Sequence, residues 1–249
     1  MHGRHFVRRS PGQVIVILVA ALLLHHPFTA NAQVRPEVSV GLLLGLPSGD
    51  FGDNVSDTGI GVVLTGGIQL PESPVLLGVE LGYLVYGRVS RSEAFNTATP
   101  DVRVKVVTSN NILQGNFFLR LQPATGKVRP YVDGVVGFKY LFTETVVKNA
   151  SDWVLNRIAY DVNFDDSALT YGIGVGAAIA LWERESEPGP VSKNPIGVHL
   201  DFGLRYLLGT EAEYLNEGSI QLEGDQVTIQ PKRSRTDMVH PHFQIRVSF

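Results

Sequence analysis

The chain has 249 residues, with 21 basic against 24 acidic side chains, a net charge of −3, 26 glycines, 14 prolines and no cysteine. The missing Cys excludes disulfide scaffolding, Cys metal sites and Cys nucleophiles. The slightly acidic balance argues against nucleic acid as a partner.

At the start, Arg4, Arg8 and Arg9 precede an unbroken apolar run from Val14 to Leu24, followed by Pro27 and the small-x-small triplet Ala30-Asn31-Ala32. This order predicts a secretory signal peptide over residues 1–32. The apolar run is too short for the roughly twenty residues that an α-helix needs to cross a bilayer. Residues 33–249 then carry 18 basic against 24 acidic side chains, a net of −6. No Ser/Pro/Gly-rich linker divides them, so one domain is expected over 33–249.

Eight segments of that domain alternate apolar and polar residues, which is the period of a β-strand. They lie near 36–46, 59–70, 75–88, 103–121, 129–146, 165–183, 195–209 and 236–249. Short connections (Pro71 to Ser73, Gln122 to Lys127, Glu183 to Asn194) alternate with longer, more polar ones (Pro47 to Thr58, Ser90 to Val102, Val147 to Asp161, Gly209 to Arg235). Short turns at one end and long loops at the other predict an all-β fold, an eight-stranded antiparallel up-and-down transmembrane barrel. Both termini would then lie on the turn side.

The faces separate residue by residue. In the third segment Leu77, Val79, Leu81, Tyr83 and Val85 oppose Gly78, Glu80, Gly82, Leu84 and Tyr86. In the seventh, Val198, Leu200, Phe202, Leu204 and Tyr206 oppose His199, Asp201, Gly203 and Arg205. The last, from Val239 to Phe249, sets Phe243, Ile245 and Val247 against His240, His242, Gln244, Arg246 and Ser248. The apolar set is expected to face lipid. The opposite set places Glu80, Arg120, Asp133, Lys139, Asp201, Arg205 and Arg246 inside, with His199, His240 and His242, as a polar network in the lumen. An eight-stranded barrel is just wide enough to fill with side chains, and charges withdrawn from water persist only when paired. Tyr83, Tyr140, Phe142, Tyr171 and Tyr206 toward the loops, and Trp182 and Phe249 toward the turns, would form interfacial aromatic girdles.

Several stretches resemble a known family. They are Leu46-Pro47-Ser48-Gly49-Asp50-Phe51, Arg129-Pro130-Tyr131-Val132, Tyr171-Gly172-Ile173-Gly174-Val175-Gly176 and the terminal Phe249. With the signal peptide they make residues 33–249 similar to the OmpA-like eight-stranded outer-membrane β-barrel family. The resemblance implies location in the cell outer membrane of a Gram-negative envelope, among its lipids and lipopolysaccharide. It also implies insertion by the outer-membrane assembly machinery, with Phe249 in the recognition signal. Nothing follows Phe249, so no peptidoglycan-binding domain is expected.

Three local motifs read differently in this setting. The Gly172–Gly176 glycines lie inside a strand pattern, with no helix or acidic residue placed to bind a dinucleotide. Asp161-Val162-Asn163-Phe164-Asp165 spaces oxygens like a calcium loop, but Asp166 replaces the required Gly and Gly172 the bidentate Glu. Asn149-Ala150-Ser151 is a glycosylation acceptor pattern without general meaning in a bacterial outer-membrane loop. No metal, cofactor or catalytic residue is therefore assigned. His240 and His242, with Asp201 beside them and Ser248 below, do evoke barrels that modify lipid A; an enzyme acting on lipid needs such groups on its outer surface, and these point inward. The expected function is an outer-membrane barrel with a largely filled lumen and a structural or surface-interaction role. The alternatives are a small diffusion pore and a lipid A-modifying enzyme. Residues 209–235, the longest connection, hold two alternating runs, 219–222 and 226–230, around Glu223-Gly224-Asp225, and predict a hairpin that extends the barrel wall. The basic Lys232, Arg233 and Arg235 follow it.

Overall fold

The computed structural model describes residues 34–94, 103–149, 157–184, 196–216, 219–223 and 226–249. The signal peptide and the tips of the second and third long connections lie outside the described residues, as do most of the turn after Glu183 and the central Gly224-Asp225 of the hairpin.

Eight antiparallel strands close into a barrel: β1 (Arg35–Pro47), β2 (Gly59–Gln69), β3 (Val75–Ala94), β4 (Arg103–Leu121), β5 (Val128–Asn149), β6 (Arg157–Glu183), β7 (Gly197–Gly209) and, last in the chain, β12 (Met238–Ser248). Each pairs with its neighbour in sequence except at the seam, where β1 meets β12 from Glu37↔Ser248 to Pro47↔Met238. The amide of Phe249 donates to the Pro36 carbonyl (3.0 Å) and continues that seam by one bond. Closure removes the unpaired edges that an open sheet would expose.

The turn end is compact. Glu72 (φ 50°) and Gly126 (φ 115°) take left-handed conformations in the two described turns. At the other end the strands differ in length. β1 and β2 stop pairing at Gly45↔Gly59, whereas β3 and β4 pair out to Ala94↔Arg103 and β5 and β6 to Lys148↔Arg157. The sequence pattern stops these strands short of this, ending β3 at Arg88 and β5 at Val146 and starting β6 at Asp165. Continued pairing of Val and Thr carries the ladder past the barrel rim, as where Thr108 and Thr145 hydroxyls meet at 3.1 Å. The calcium-like run 161–165 lies within this extended part of β6, where successive side chains point to opposite faces.

Two connections fold rather than loop. After β1, where an irregular stretch is expected, Gly49–Asn54 form a short helix, α1. Gly49 enters it at φ +56°, a conformation that glycine adopts without steric cost. After β7, β8 (Glu211–Tyr214) pairs with β11 (Lys232–Arg235), and β9 (Ile220–Glu223) pairs with β10 (Gln226–Ile229) as the expected hairpin. This connection is only in part the free wall extension that its alternation implies. Ala212, Tyr214 and Leu215 turn inward and are buried. The two folded connections are tied together where the Ser48 amide donates to the Asp237 carbonyl (3.0 Å) and the Asn216 side-chain amide to the Asn54 carbonyl (2.8 Å).

The outward face is apolar and open: Val40, Ile60, Val79, Phe117, Val136, Ile173, Leu204 and Ile245 are each about half exposed or more. A monomeric soluble protein rarely exposes so continuous an apolar surface. Toward the loop end, Tyr140 stacks on Phe142 (5.4 Å between centroids), with Tyr83 against Phe142 (6.5 Å). The Tyr83 hydroxyl donates to Oδ1 of Asn111 (2.9 Å), and this outward-facing amide is fully buried.

Candidate functional site

The interior divides into two zones. From the turn end to mid-barrel it is a ladder of alternating charge, one rung per layer of inward side chains. Arg246 bridges Glu37 (3.2 Å) and Asp201. Asp201 also receives Nη1 of Arg120 (2.9 Å), and Arg120 grips Asp133 with two parallel bonds of 2.7 and 2.9 Å. Arg205 then takes Asp133 (2.9 and 3.1 Å) and reaches Glu80. Four carboxylates interleave with three guanidinium groups, every one at or below 7% side-chain exposure. Such pairs resist separation, because removing one partner strands a buried charge.

Neutral groups complete the ladder. The Tyr131 hydroxyl donates to Asp201 (2.6 Å), and its ring lies 3.4 Å beneath the Arg120 guanidinium, a cation–π contact. Asn116 donates to Glu80 (3.0 Å), and Gln122 accepts from Arg246 (3.0 Å). Gly203 makes room here. A Cβ at that position would stand 2.4 Å from Nε2 of His242 and 2.5 Å from the Tyr131 hydroxyl, so the small residue is required by its neighbours.

Every charged residue expected inside is buried there, but not all of them join the ladder. Lys139 stands apart: its Nζ donates to the Thr236 carbonyl (2.8 Å), anchoring the fourth long connection from below. His199 lies at the turn end, 3.1 Å from Glu183, which also pairs with Arg129. His242 sits 3.2 Å from the Tyr131 hydroxyl and 3.5 Å from Asp201, while His240 touches Gln114 at 3.5 Å. The Ser248 hydroxyl instead donates to the Gly197 carbonyl (3.5 Å). Among the described residues, no serine is hydrogen-bonded to His240 or His242.

Glu37, Glu183 and Gln122 make inward polar contacts that the sequence reading did not single out, and Arg129 and Tyr131 entered it only through the family resemblance. Glu37 was legible, since Glu37, Ser39, Gly41 and Leu43 form the inward set of β1. Arg129 and Glu183 lie at strand ends, where alternation gives its weakest signal.

Above the ladder the lumen becomes apolar. Leu43, Val63, Leu84, Ile112, Leu141 and Met238 fill it, and Phe51 of α1 descends onto them with no exposed surface. Phe51 meets the Tyr214 ring edge-on (4.8 Å) and Tyr86 at 5.8 Å, geometries that aromatic pairs favour. The helix and the fourth connection therefore form a lid over the barrel. The basic stretch above it is largely engaged: Arg233 pairs with Glu211 (3.2 Å) and Arg235 with Asp237 (3.6 Å), with both arginines exposed.

Residues 15–230 match the family described as outer membrane protein beta-barrel domain. No curated protein matches the chain. Among solved structures, it is similar to neisserial surface protein A at 11% identity and a TM-score of 0.36, over 86% of this chain and 95% of that one. It is also similar to a major outer membrane protein from Thermus thermophilus at 11% identity and a TM-score of 0.35, over 86% of this chain and 99% of that one.

Proposed function

Because this chain belongs to the outer membrane protein beta-barrel domain family, an outer-membrane β-barrel, we propose that it is a closed, non-enzymatic barrel acting through its loop end, which faces the outside of the cell. The observation that carries this reading is the double filling of the lumen, by the Glu37-to-Glu80 ladder and then by the Phe51 lid. A barrel so filled offers partners only its lid and projecting strands, with membrane lipids and lipopolysaccharide around the apolar band. Residues 1–32 would direct export, and Phe249 would close the assembly signal read by the insertion machinery.

The test is reconstitution in planar bilayers. A closed barrel gives no stepwise conductance, and discrete steps would replace this reading by that of a small diffusion pore. One feature favours that second reading: Oδ1 of Asn116, Oε1 of Gln114, Nε2 of His240 and Nδ1 of His242 are buried without a partner among the described residues. Water held at these atoms would shorten the dry stretch between the ladder and the lid.

A further inference from the structure

We infer that α1 and its flanks, from Leu46 to Thr58, are a hinged flap that swings off the lumen while the rest of the lid stays in place. The first sign is in the seam between β1 and β12. Hydrogen-bonded and non-bonded positions alternate along an antiparallel pair. The amides of Phe249 and Ser48 donate to the carbonyls of Pro36 and Asp237, both at 3.0 Å, and mark the bonded positions of this register. Leu44 opposite Pro241 is another of them. Proline has no N–H to give the Leu44 carbonyl, and the seam accordingly lacks the pairs Leu44↔Pro241 and Gly45↔His240. The break is on this side alone, since β12 pairs with β7 without interruption through Pro241↔Leu204.

The other side of β1 is released at the same point. Its pairing with β2 ends at Gly45↔Gly59, so the chain leaves the barrel and returns to it through two facing glycines. Hinges are element-terminal positions of this kind, and glycine is the residue least restricted there. Beyond the gap, a short latch holds the flap: Leu46↔Val239, Pro47↔Met238 and the Ser48–Asp237 bond. The Asn216 side chain also donates to the Asn54 carbonyl (2.8 Å), and Phe51 packs on Tyr214 and Tyr86. The fourth connection is held differently, by three barrel strands. Lys139 of β5 donates to the Thr236 carbonyl (2.8 Å), the Gly209 amide of β7 to Oδ1 of Asp237 (2.8 Å), and Asp166 of β6 accepts from the Glu213 amide (2.8 Å). When the latch parts, Phe51 leaves the apolar upper lumen and uncovers Leu43, Leu84 and Met238, while the charge ladder below stays closed. The flap governs access to the upper lumen and not passage through the barrel.

Site-resolved amide hydrogen exchange on the purified barrel in detergent micelles tests the hinge. The Leu46 and Ser48 amides should exchange faster than that of Leu42, which occupies a bonded position of the same seam below the gap. Pro241→Val supplies the N–H that the gap lacks and should slow both by about fivefold, matching the net stabilisation of one hydrogen bond. Gly59→Ala stiffens the hinge from the neighbouring strand. Its Cβ would meet the Gly45 carbonyl oxygen and the Tyr86 Cβ at 3.4 Å, an ordinary contact, and it should slow the same amides by about two- to fivefold. The Glu213 amide of the fourth connection should keep its rate in both variants, each shown to be folded by its heat-modifiable gel mobility. Protection of Leu46 and Ser48 equal to that of Leu42 would overturn the proposal. Rates unmoved by Gly59→Ala would do so too, since simple fraying of the β1 end gives that result. Equal slowing at Glu213 would show that the lid moves as one body, which leaves no separate flap.

Discussion

Asp133→Ala removes the residue on which two guanidinium groups converge. Asp133 accepts from Nε and Nη2 of Arg120 (2.7 and 2.9 Å) and from Nε and Nη2 of Arg205 (3.1 and 2.9 Å), wholly out of solvent. Removing one member of a buried pair costs about 3–5 kcal/mol, because the charge left behind is neither hydrated nor compensated. Here each arginine keeps one carboxylate, Asp201 for Arg120 and Glu80 for Arg205. The expected loss therefore lies at the lower end of that range, about 3 kcal/mol. Water reaching the space would reduce it further. The assay is equilibrium urea unfolding from lipid vesicles, scored by the fraction that keeps the fast-migrating folded form on gels. Gln122→Ala serves as the comparison, since it removes a single neutral acceptor from Arg246 (3.0 Å). A loss below about 1 kcal/mol for Asp133→Ala, or one equal to that of Gln122→Ala, would show that the ladder is not held by its ion pairs.

Three further outcomes are expected. Val79→Arg places a charge on the apolar outer face and should cost about 2–4 kcal/mol near the bilayer midplane; the same unfolding assay checks it, and no loss would mean that this face does not meet lipid. Phe51→Ala empties the buried centre of the lid, which in a packed core costs about 3–5 kcal/mol; amide hydrogen exchange at Ala212–Leu215 should accelerate while the barrel strands keep their protection. The same variant should remain non-conducting in planar bilayers, because the ladder still blocks the lumen, and stepwise current would assign closure to the lid alone. Phe249→Ala should lower the amount recovered in the outer membrane and raise degradation before insertion, and normal abundance would remove the residue from the assembly signal.

The barrel was legible because one physical rule governs every position in it. A strand between lipid and a crowded lumen must alternate, so the period of two assigns Val79 outward and Glu80 inward without any knowledge of neighbours. The strand starts at Gly59, Val75 and Arg103 follow directly from the pattern. The rule weakens where the environment changes. Beyond the rim both faces of β5 and β6 meet water or other strands, polar alternation no longer signals an end, and pairing runs on to Lys148↔Arg157. The lid lay beyond the rule altogether. A six-residue helix carries too little periodicity to be recognised in Gly49–Asn54, and the burial of Phe51 depends on Tyr214, which is far away in sequence.

The same comparison explains why the charges were found before their partners. Alternation tells which residues share the lumen and says nothing of their height along the axis; height follows from register. Asp133 lies opposite Arg120 on β4, and Asp201 lies opposite Gln244 on β12. These registers stagger carboxylates and guanidinium groups so that each arginine spans two acids. Lys139 faces Gln114 across the β4–β5 pair, above the last acid of the ladder, where its ammonium donates to a carbonyl of the lid connection. That placement makes Lys139 the joint between the two fillings of the lumen. The charged zone ends where it begins to hold the lid, and the lumen is filled by two devices of different chemistry that meet at one side chain.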